Sequence, residues 1–131
     1  KRIVIDFKGF RICPLICYDL RFPVWARNTE NYDILIYVAN WPQPRINAWD
    51  ALLKARAIEN MAYVIGVNRT GTDNAGHSYP GHSTVNDVFG EPIVFSKEEK
   101  VLYVSLDKKH ISEAREKLKF LEDRDHFSLK G

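Results

Sequence analysis

Ile34 to Ala39 (ILIYVA) is an unbroken run of aliphatic, β-branched and aromatic side chains with no charged position. A run of this length reads as a strand covered on both faces, so it belongs inside a sheet with other elements packed above and below. The flanking segments supply those elements. Arg2–Phe7 and Phe10–Ile16 read as strands joined at Lys8-Gly9, where Gly9 supplies a positive φ. Pro14 lacks a ladder donor and predicts an irregularity in the second strand. Arg21-Phe22-Pro23 opens a short helix to about residue 28. Asn40–Pro44 is a loop, Asn47 reads as a helix cap, and the Ala- and Leu-rich segment from residue 48 to 62 is the best helix in the chain. Tyr63–Asn68 returns to strand, and 71–81 is a loop by composition. A hairpin follows about Gly90-Glu91 from strands at 82–89 and 92–95. Val101–Leu106 reads as a last strand and 111–120 as a charged amphipathic helix. The order predicts an α/β layered sheet.

Composition narrows the partners. Nineteen Lys and Arg against seventeen Asp and Glu give a net charge of +2 in 131 residues. That near balance makes no electrostatic case for nucleic acid or an anionic membrane as the main partner. With 45% hydrophobic and 27% charged residues the chain has the means for an ordinary core. Two cysteines cannot build a disulfide scaffold, no run approaches the roughly 20 apolar residues of a membrane helix, and no secretory leader pattern is visible. A cytoplasmic location with reduced thiols is the expectation. The chain opens on Lys1 rather than Met and enters a strand-like run at once, which reads as part of a longer polypeptide.

The segment that carries chemistry is Ile12–Pro23, ICPLICYDLRFP. An apolar strand ends at Cys17 and a turn into a helix follows. A nucleophile at such a junction is presented at the sheet edge, and the backbone N–H groups after it, Tyr18 N–H first, can hold a developing oxyanion. A helix N-terminus also lowers a thiol pKa. A free cysteine in an apolar strand is more often a small core residue, so spacing alone leaves both roles open. Cys13, four positions earlier, reads as a core residue or as a resolving thiol for Cys17, and C-x-x-x-C is no specific metal spacing.

CYDLRFP after an apolar strand resembles the nucleophile motif of the nitrilase superfamily, the carbon–nitrogen hydrolases. YVANWP (37–42), RAIENMAYVIGVNRTG (56–71), YPGHSTVNDVFGE (79–91) and the C-terminal REKLKFLEDRDHF resemble further family segments in the family's order. CYDLRFPVWARN and the NWPxPR loop look most like the bacterial omega-amidase branch. The resemblance implies a carbon–nitrogen hydrolase domain over 1–131 as the C-terminal part of a four-layer αββα sandwich, in an enzyme that pairs into a homodimer. It implies a Cys–Glu–Lys amidase, releasing ammonia from a small carboxylate amide such as 2-oxoglutaramate through a thioester, with no metal or organic cofactor. Only the cysteine maps, to Cys17. The family's glutamate and lysine lie well N-terminal of the cysteine, and the sixteen residues before Cys17 hold no Glu and only Lys1 and Lys8. The N-terminal half of the same protein is therefore an expected partner. Without it, a broad apolar sheet face is expected to stand uncovered.

Other residues carry two readings each. Asp19 and Arg21 support the elbow, most simply through a salt bridge. Asn40 and Trp41 follow the expected central strand, where open α/β sheets place ligands, and are substrate-binding candidates. Arg45 is a candidate for a substrate carboxylate, or simply an exposed arginine. Arg56 and Glu59 are an i, i+3 pair expected to bridge near the active-site layer. His82 is a candidate for hydrogen bonding to substrate. The four histidines (77, 82, 110, 126) show no H-x-x-x-H metal spacing. Two other functions stay open beside the amidase: a truncated, non-catalytic folding or interaction module, and a thiol redox protein using Cys13 and Cys17.

Overall fold

A computed structural model describes residues 2–129. Its elements are β1 (Ile5–Phe7), β2 (Phe10–Ile16), α1 (Pro23–Ala26), β3 (Ile34–Ala39), α2 (Ile46–Asn60), β4 (Tyr63–Asn68), β5 (Thr70–Thr72), β6 (Ser78–Pro80), β7 (Ser83–Asn86), β8 (Pro92–Ser96) and α3 (Lys108–Leu118). Short 3-10 turns occupy Cys17–Arg21 and Gln43–Arg45. The main sheet runs β1-β2-β3-β4-β7-β8, and β5 and β6 form a separate two-stranded hairpin. Strands β2, β3 and β4 are parallel, while β1, β7 and β8 run antiparallel to their neighbours. The ILIYVA run is β3, flanked on both sides by parallel strands, but its expected cover on both faces is only partly met in this chain, where Val38 is 49% exposed.

Period-two alternation sorts each strand between two cores. Cys13, Leu15, Leu35, Tyr37 and Val64 face α2 and pack with its Trp49, Leu53 and Ala57. Gly66 lets the helix approach. A Cβ there would lie 2.4 Å from Leu53 Cδ1 and 2.8 Å from Trp49 Cζ2. The opposite face takes Ile34 and Tyr63 under Ile111 and Ala114 of α3. That cover reaches only part of the face. At the carboxyl ends of the parallel strands, Ile16, Val38 and Val67 share the same side and are 66%, 49% and 48% exposed. Ile5 and Phe7 on β1 are exposed on the same side. The expected uncovered apolar face is present in this chain.

Several local expectations give way to tertiary context. Strand β2 runs through Pro14 with no register shift against β3. Strand β1 pairs only as far as Ile12, so at residue 14 a missing N–H need not break a ladder. The first strand is the short Ile5–Phe7, and its turn has both Lys8 (φ 48°) and Gly9 (φ 81°) in the left-handed region, the two-residue turn that suits strand twist. Asn47 is not a cap. Arg45 occupies that position without a side-chain bond, because the Gln43–Arg45 turn feeds directly into α2. The loop assigned to 71–81 contains the β5–β6 hairpin, closed by Asp73, which accepts from the backbone N–H of Ala75 (3.0 Å) and His77 (2.9 Å). Val101–Leu106 forms no strand. Leu102 and Val104 lie half-buried between exposed neighbours and border a cavity on the sheet face with Ile65, Val67, Val85 and Val94, without pairing to any strand. Helix α3 starts at Lys108 because Asp107 caps it, accepting from Lys109 N–H at 2.8 Å.

Candidate active site

Three parallel strands end side by side, at Ile16, Ala39 and Asn68. The residues that follow them are Cys17, Asn40 and Arg69, which places them at the sheet edge where open α/β folds gather ligands. Cys17 has φ 40°, in the left-handed region that a non-glycine residue enters at a cost of about 1–3 kcal/mol. That turn breaks the strand and swings the half-buried thiol out at the edge. The 3-10 turn that begins at Cys17 brings the next backbone N–H groups, starting with Tyr18, to a helix start where they lack intrahelical acceptors. Asp19 braces the bend, its Oδ2 accepting from Ile16 N–H at 3.0 Å.

Two open cavities meet at the thiol. One, about 500 Å³, is lined by Ile16, Cys17, Val38, Asn40, Val67 and Arg69 among others. The second, about 460 Å³, is lined by Cys17, Tyr18, Arg21, Asn40, Trp41, Pro42 and Arg45. Trp41 is both wall and core. Its indole N–H donates to the Arg45 carbonyl (2.7 Å), its ring tilts against Trp49 at 5.6 Å, and the Arg21 guanidinium stands 4.9 Å from its centroid.

The structure thus brings Cys17, Tyr18, Asn40, Trp41, Arg21 and Arg45 together. The expected Asp19–Arg21 salt bridge is absent among the described residues: Asp19 serves the Ile16 amide and Arg21 lies over Trp41. Arg56 and Glu59 do pair, at 2.9 Å, and Arg56 Nη2 also donates to the Leu20 carbonyl at 2.6 Å. The pair therefore supports the elbow from beneath. Tyr37 Oη and Arg56 Nε lie buried in the same region without partners among the described residues. His82 lines neither cavity. Its Nδ1 faces the Asp50 carboxylate of α2 at 2.9 and 3.0 Å, its ring meets Phe95 edge-on, and its carbonyl accepts from the Trp49 indole N–H. Its backbone, at φ 60°, turns the side chain toward the helix layer.

Asn68 is a buried organiser that sequence reasoning passed over. Its Oδ1 accepts from Trp41 N–H (2.7 Å), and its Nδ2 donates to the Trp41 (3.0 Å) and Gly81 (2.7 Å) carbonyls. It pins the Trp41 loop to the loop before β7. Its one visible signal is a polar residue closing an otherwise apolar strand. Cys13 is fully buried in the α2-facing core, and burial pushes its thiol up to about 11. Three residues of strand lie between it and Cys17, a span of roughly 10–13 Å and beyond disulfide reach, and both cysteines are free. A Cys13–Cys17 redox couple is excluded by this geometry.

Among the described residues no helix is long and apolar enough to cross a membrane, and no three His, Cys, Asp or Glu side chains gather as a metal-binding group. An open α/β sheet with a strained cysteine at the end of a parallel strand is the frame of a cysteine-based hydrolase fold. The carbon-nitrogen hydrolase family matches residues 1–116, and the chain belongs to that family. Among its relatives, the omega-amidase YafV of Escherichia coli strain K12 is 48% identical over 130 residues, covering 98% of this chain and 51% of the relative. The 2-oxoglutaramate amidase of Bacillus subtilis is 36% identical, over 90% of this chain and 46% of that enzyme. The crystal structure of a CN-hydrolase superfamily protein from Xanthomonas campestris, with an arsenic adduct in its active site, superposes with a TM-score of 0.97 at 40% identity. It covers 99% of this chain and 52% of that one. The chain spans about half the length of the curated relatives it matches.

Proposed function

We propose that this chain is the nucleophile-bearing, C-terminal part of an omega-amidase-like enzyme. The observation that carries the reading is Cys17 itself: a left-handed cysteine at the end of β2, opening onto two cavities. Its thiolate attacks the amide carbonyl of the substrate, and Tyr18 N–H holds the oxyanion that forms. Collapse of the tetrahedral species expels ammonia and leaves a thioester on Cys17. Water then cleaves the thioester, giving the carboxylate and regenerating the thiol, so one water is consumed for each ammonia released. Arg45 receives a carboxylate of the substrate, and Asn40 and Trp41 form the wall between them. Arg21 over Trp41 and the Arg56–Glu59 pair keep the elbow in place. An omega-amide of a small 2-oxo dicarboxylate, such as 2-oxoglutaramate, suits a thiol flanked by arginines, and the relatives' names support the same class.

The general-base glutamate and the lysine that the resemblance implies fall to the N-terminal half of the complete protein. That half also supplies the second sheet of a four-layer αββα sandwich, and its natural seat is the apolar face carrying Ile16, Val38 and Val67. The assembled enzyme pairs as a homodimer and works in the cytoplasm, in keeping with two free thiols. The test is ammonia release from 2-oxoglutaramate by the full-length protein and its Cys17→Ala variant. We expect turnover in the wild type and a loss of at least a thousandfold in the variant. Undiminished turnover by Cys17→Ala refutes the assignment.

A further inference from the structure

The omega-amidase reading leaves one charged residue at the thiol without a role. Arg69 directly follows β4 and lines the same cavity as Cys17 and Asn40. Among the described residues its guanidinium makes no ion pair and no side-chain hydrogen bond. The same holds for Arg45, across the shared thiol in the second cavity. Side chains this long, left free, ordinarily sweep many rotamers. Arg69 is instead held. Its backbone N–H donates to Ala39 O at 3.0 Å and its carbonyl accepts from Gly81 N–H at 3.1 Å, which fixes the root. Its guanidinium carbon stacks 4.7 Å from the Tyr79 ring centroid.

The Tyr79 ring is fixed in turn. Its hydroxyl donates to Asp73 Oδ2 at 2.9 Å. Asp73 is the residue that closes the β5–β6 hairpin, accepting from the amides of Ala75 and His77, and the His77 backbone bond first of all holds its carboxyl down at about 2. Strand β6 lies beside the Gln43–Arg45 turn, and both Arg69 and Arg45 act on the Tyr79 hydroxyl electrostatically. The small hairpin is therefore a mount that holds one cation beside a second and near the nucleophile. A mounted arginine in a cavity, unpaired among the described residues, is arranged for a planar anion, and a carboxylate is the anion that matches its fork.

Resting on the amidase reading, we propose that Arg69 is a specificity-determining residue of the site, recognising a carboxylate of the substrate, with Tyr79 and Asp73 as its positioning residues. The site then selects amides that carry a carboxylate away from the scissile bond, and Arg45 and Arg69 together favour substrates with an acid group over neutral amides of equal length.

The experiment compares succinamate with butyramide, in which a methyl group replaces the carboxylate, using the full-length protein. We expect Arg69→Met to lower kcat/KM for succinamate about 10- to 100-fold, chiefly through KM, the range of a lost charge-assisted hydrogen bond. Butyramide turnover should stay within about twofold, and Arg69→Lys should recover part of the loss. Asp73→Asn, which weakens the mount but keeps the guanidinium, should shift the same selectivity ratio by a smaller factor. Calorimetric binding of succinate to Cys17→Ala, with and without Arg69→Met, reads the anion site without turnover. If wild type hydrolyses neither amide but binds succinate in an Arg69-dependent manner, the amidase reading falls and the carboxylate site stands. Equal losses for both amides, or succinate binding indifferent to Arg69→Met, overturn the proposal.

Discussion

Arg56 is the point at which the helix layer holds the Cys17–Arg21 turn, and its removal has a calculable cost. The side chain is 3% exposed on the buried face of α2. One guanidinium nitrogen donates to the Leu20 carbonyl at 2.6 Å, three residues after Cys17, and another meets Glu59 Oε1 at 2.9 Å. Arg56→Met keeps most of the volume, so the cavity term is small. It removes a charge-assisted bond worth about 1.5–3 kcal/mol, much of it the cost of leaving the Leu20 carbonyl buried and unpaired. Glu59 is 34% exposed in the pair, so losing that contact adds only about 0.5 kcal/mol. The sum is about 2–3.5 kcal/mol. Urea unfolding of the full-length protein should show a lower midpoint at unchanged m, together with a fall in kcat as the strained Cys17 turn relaxes. Arg56→Lys should recover less than half, because one ammonium cannot reproduce the fork that reaches both acceptors. A stability for Arg56→Met within 0.5 kcal/mol of wild type, with kcat unchanged (a threshold set by the range of neutral substitutions), would refute the reasoning.

Two further outcomes follow from the packing. Gly66→Ala drives a methyl against Leu53 and Trp49 on the α2 face of β4, and should cost about 1–3 kcal/mol by thermal or urea unfolding, which Leu53→Ala partly relieves in the double variant. The Cys13 thiol, pushed up to about 11 by burial from a reference of 9.0, binds its proton more tightly in the folded than in the unfolded chain. Its contribution is therefore complete below pH 9 and drains away between pH 9 and 11. Cys13→Ala should flatten that alkaline decline by about 2–3 kcal/mol in urea titrations across the window.

Sequence patterns were most informative where one local rule acted alone. The unbroken ILIYVA run read as an interior strand, and it lies between two parallel neighbours, with one face only partly covered in this chain. The strand-to-turn break at Cys17 was legible because an apolar run stops there and a Pro-opened helix follows. Asn47 misled because a good capping residue cannot tell whether the backbone before it has already begun to coil, as the Gln43–Arg45 turn has. Val101–Leu106 misled in the opposite sense. Its alternation is real, with Leu102 and Val104 half-buried between exposed neighbours, but alternation marks a half-buried segment and does not tell whether it pairs with a strand or lies over a sheet face.

The site divides along the same line. Sequence by itself determined an α/β sheet, the thiol at a strand end, and the Arg56–Glu59 pair, because each is written in residues close together in the chain. Only the tertiary structure decided which distant residues share the thiol's surroundings. It brought Arg45 and Arg69 to the cavities at Cys17, sent His82 to Asp50 instead, and made Asn68 the clamp between two loops. Those outcomes depend on strand order and register, which fix the positions of chain ends fifty residues apart and which no local pattern encodes.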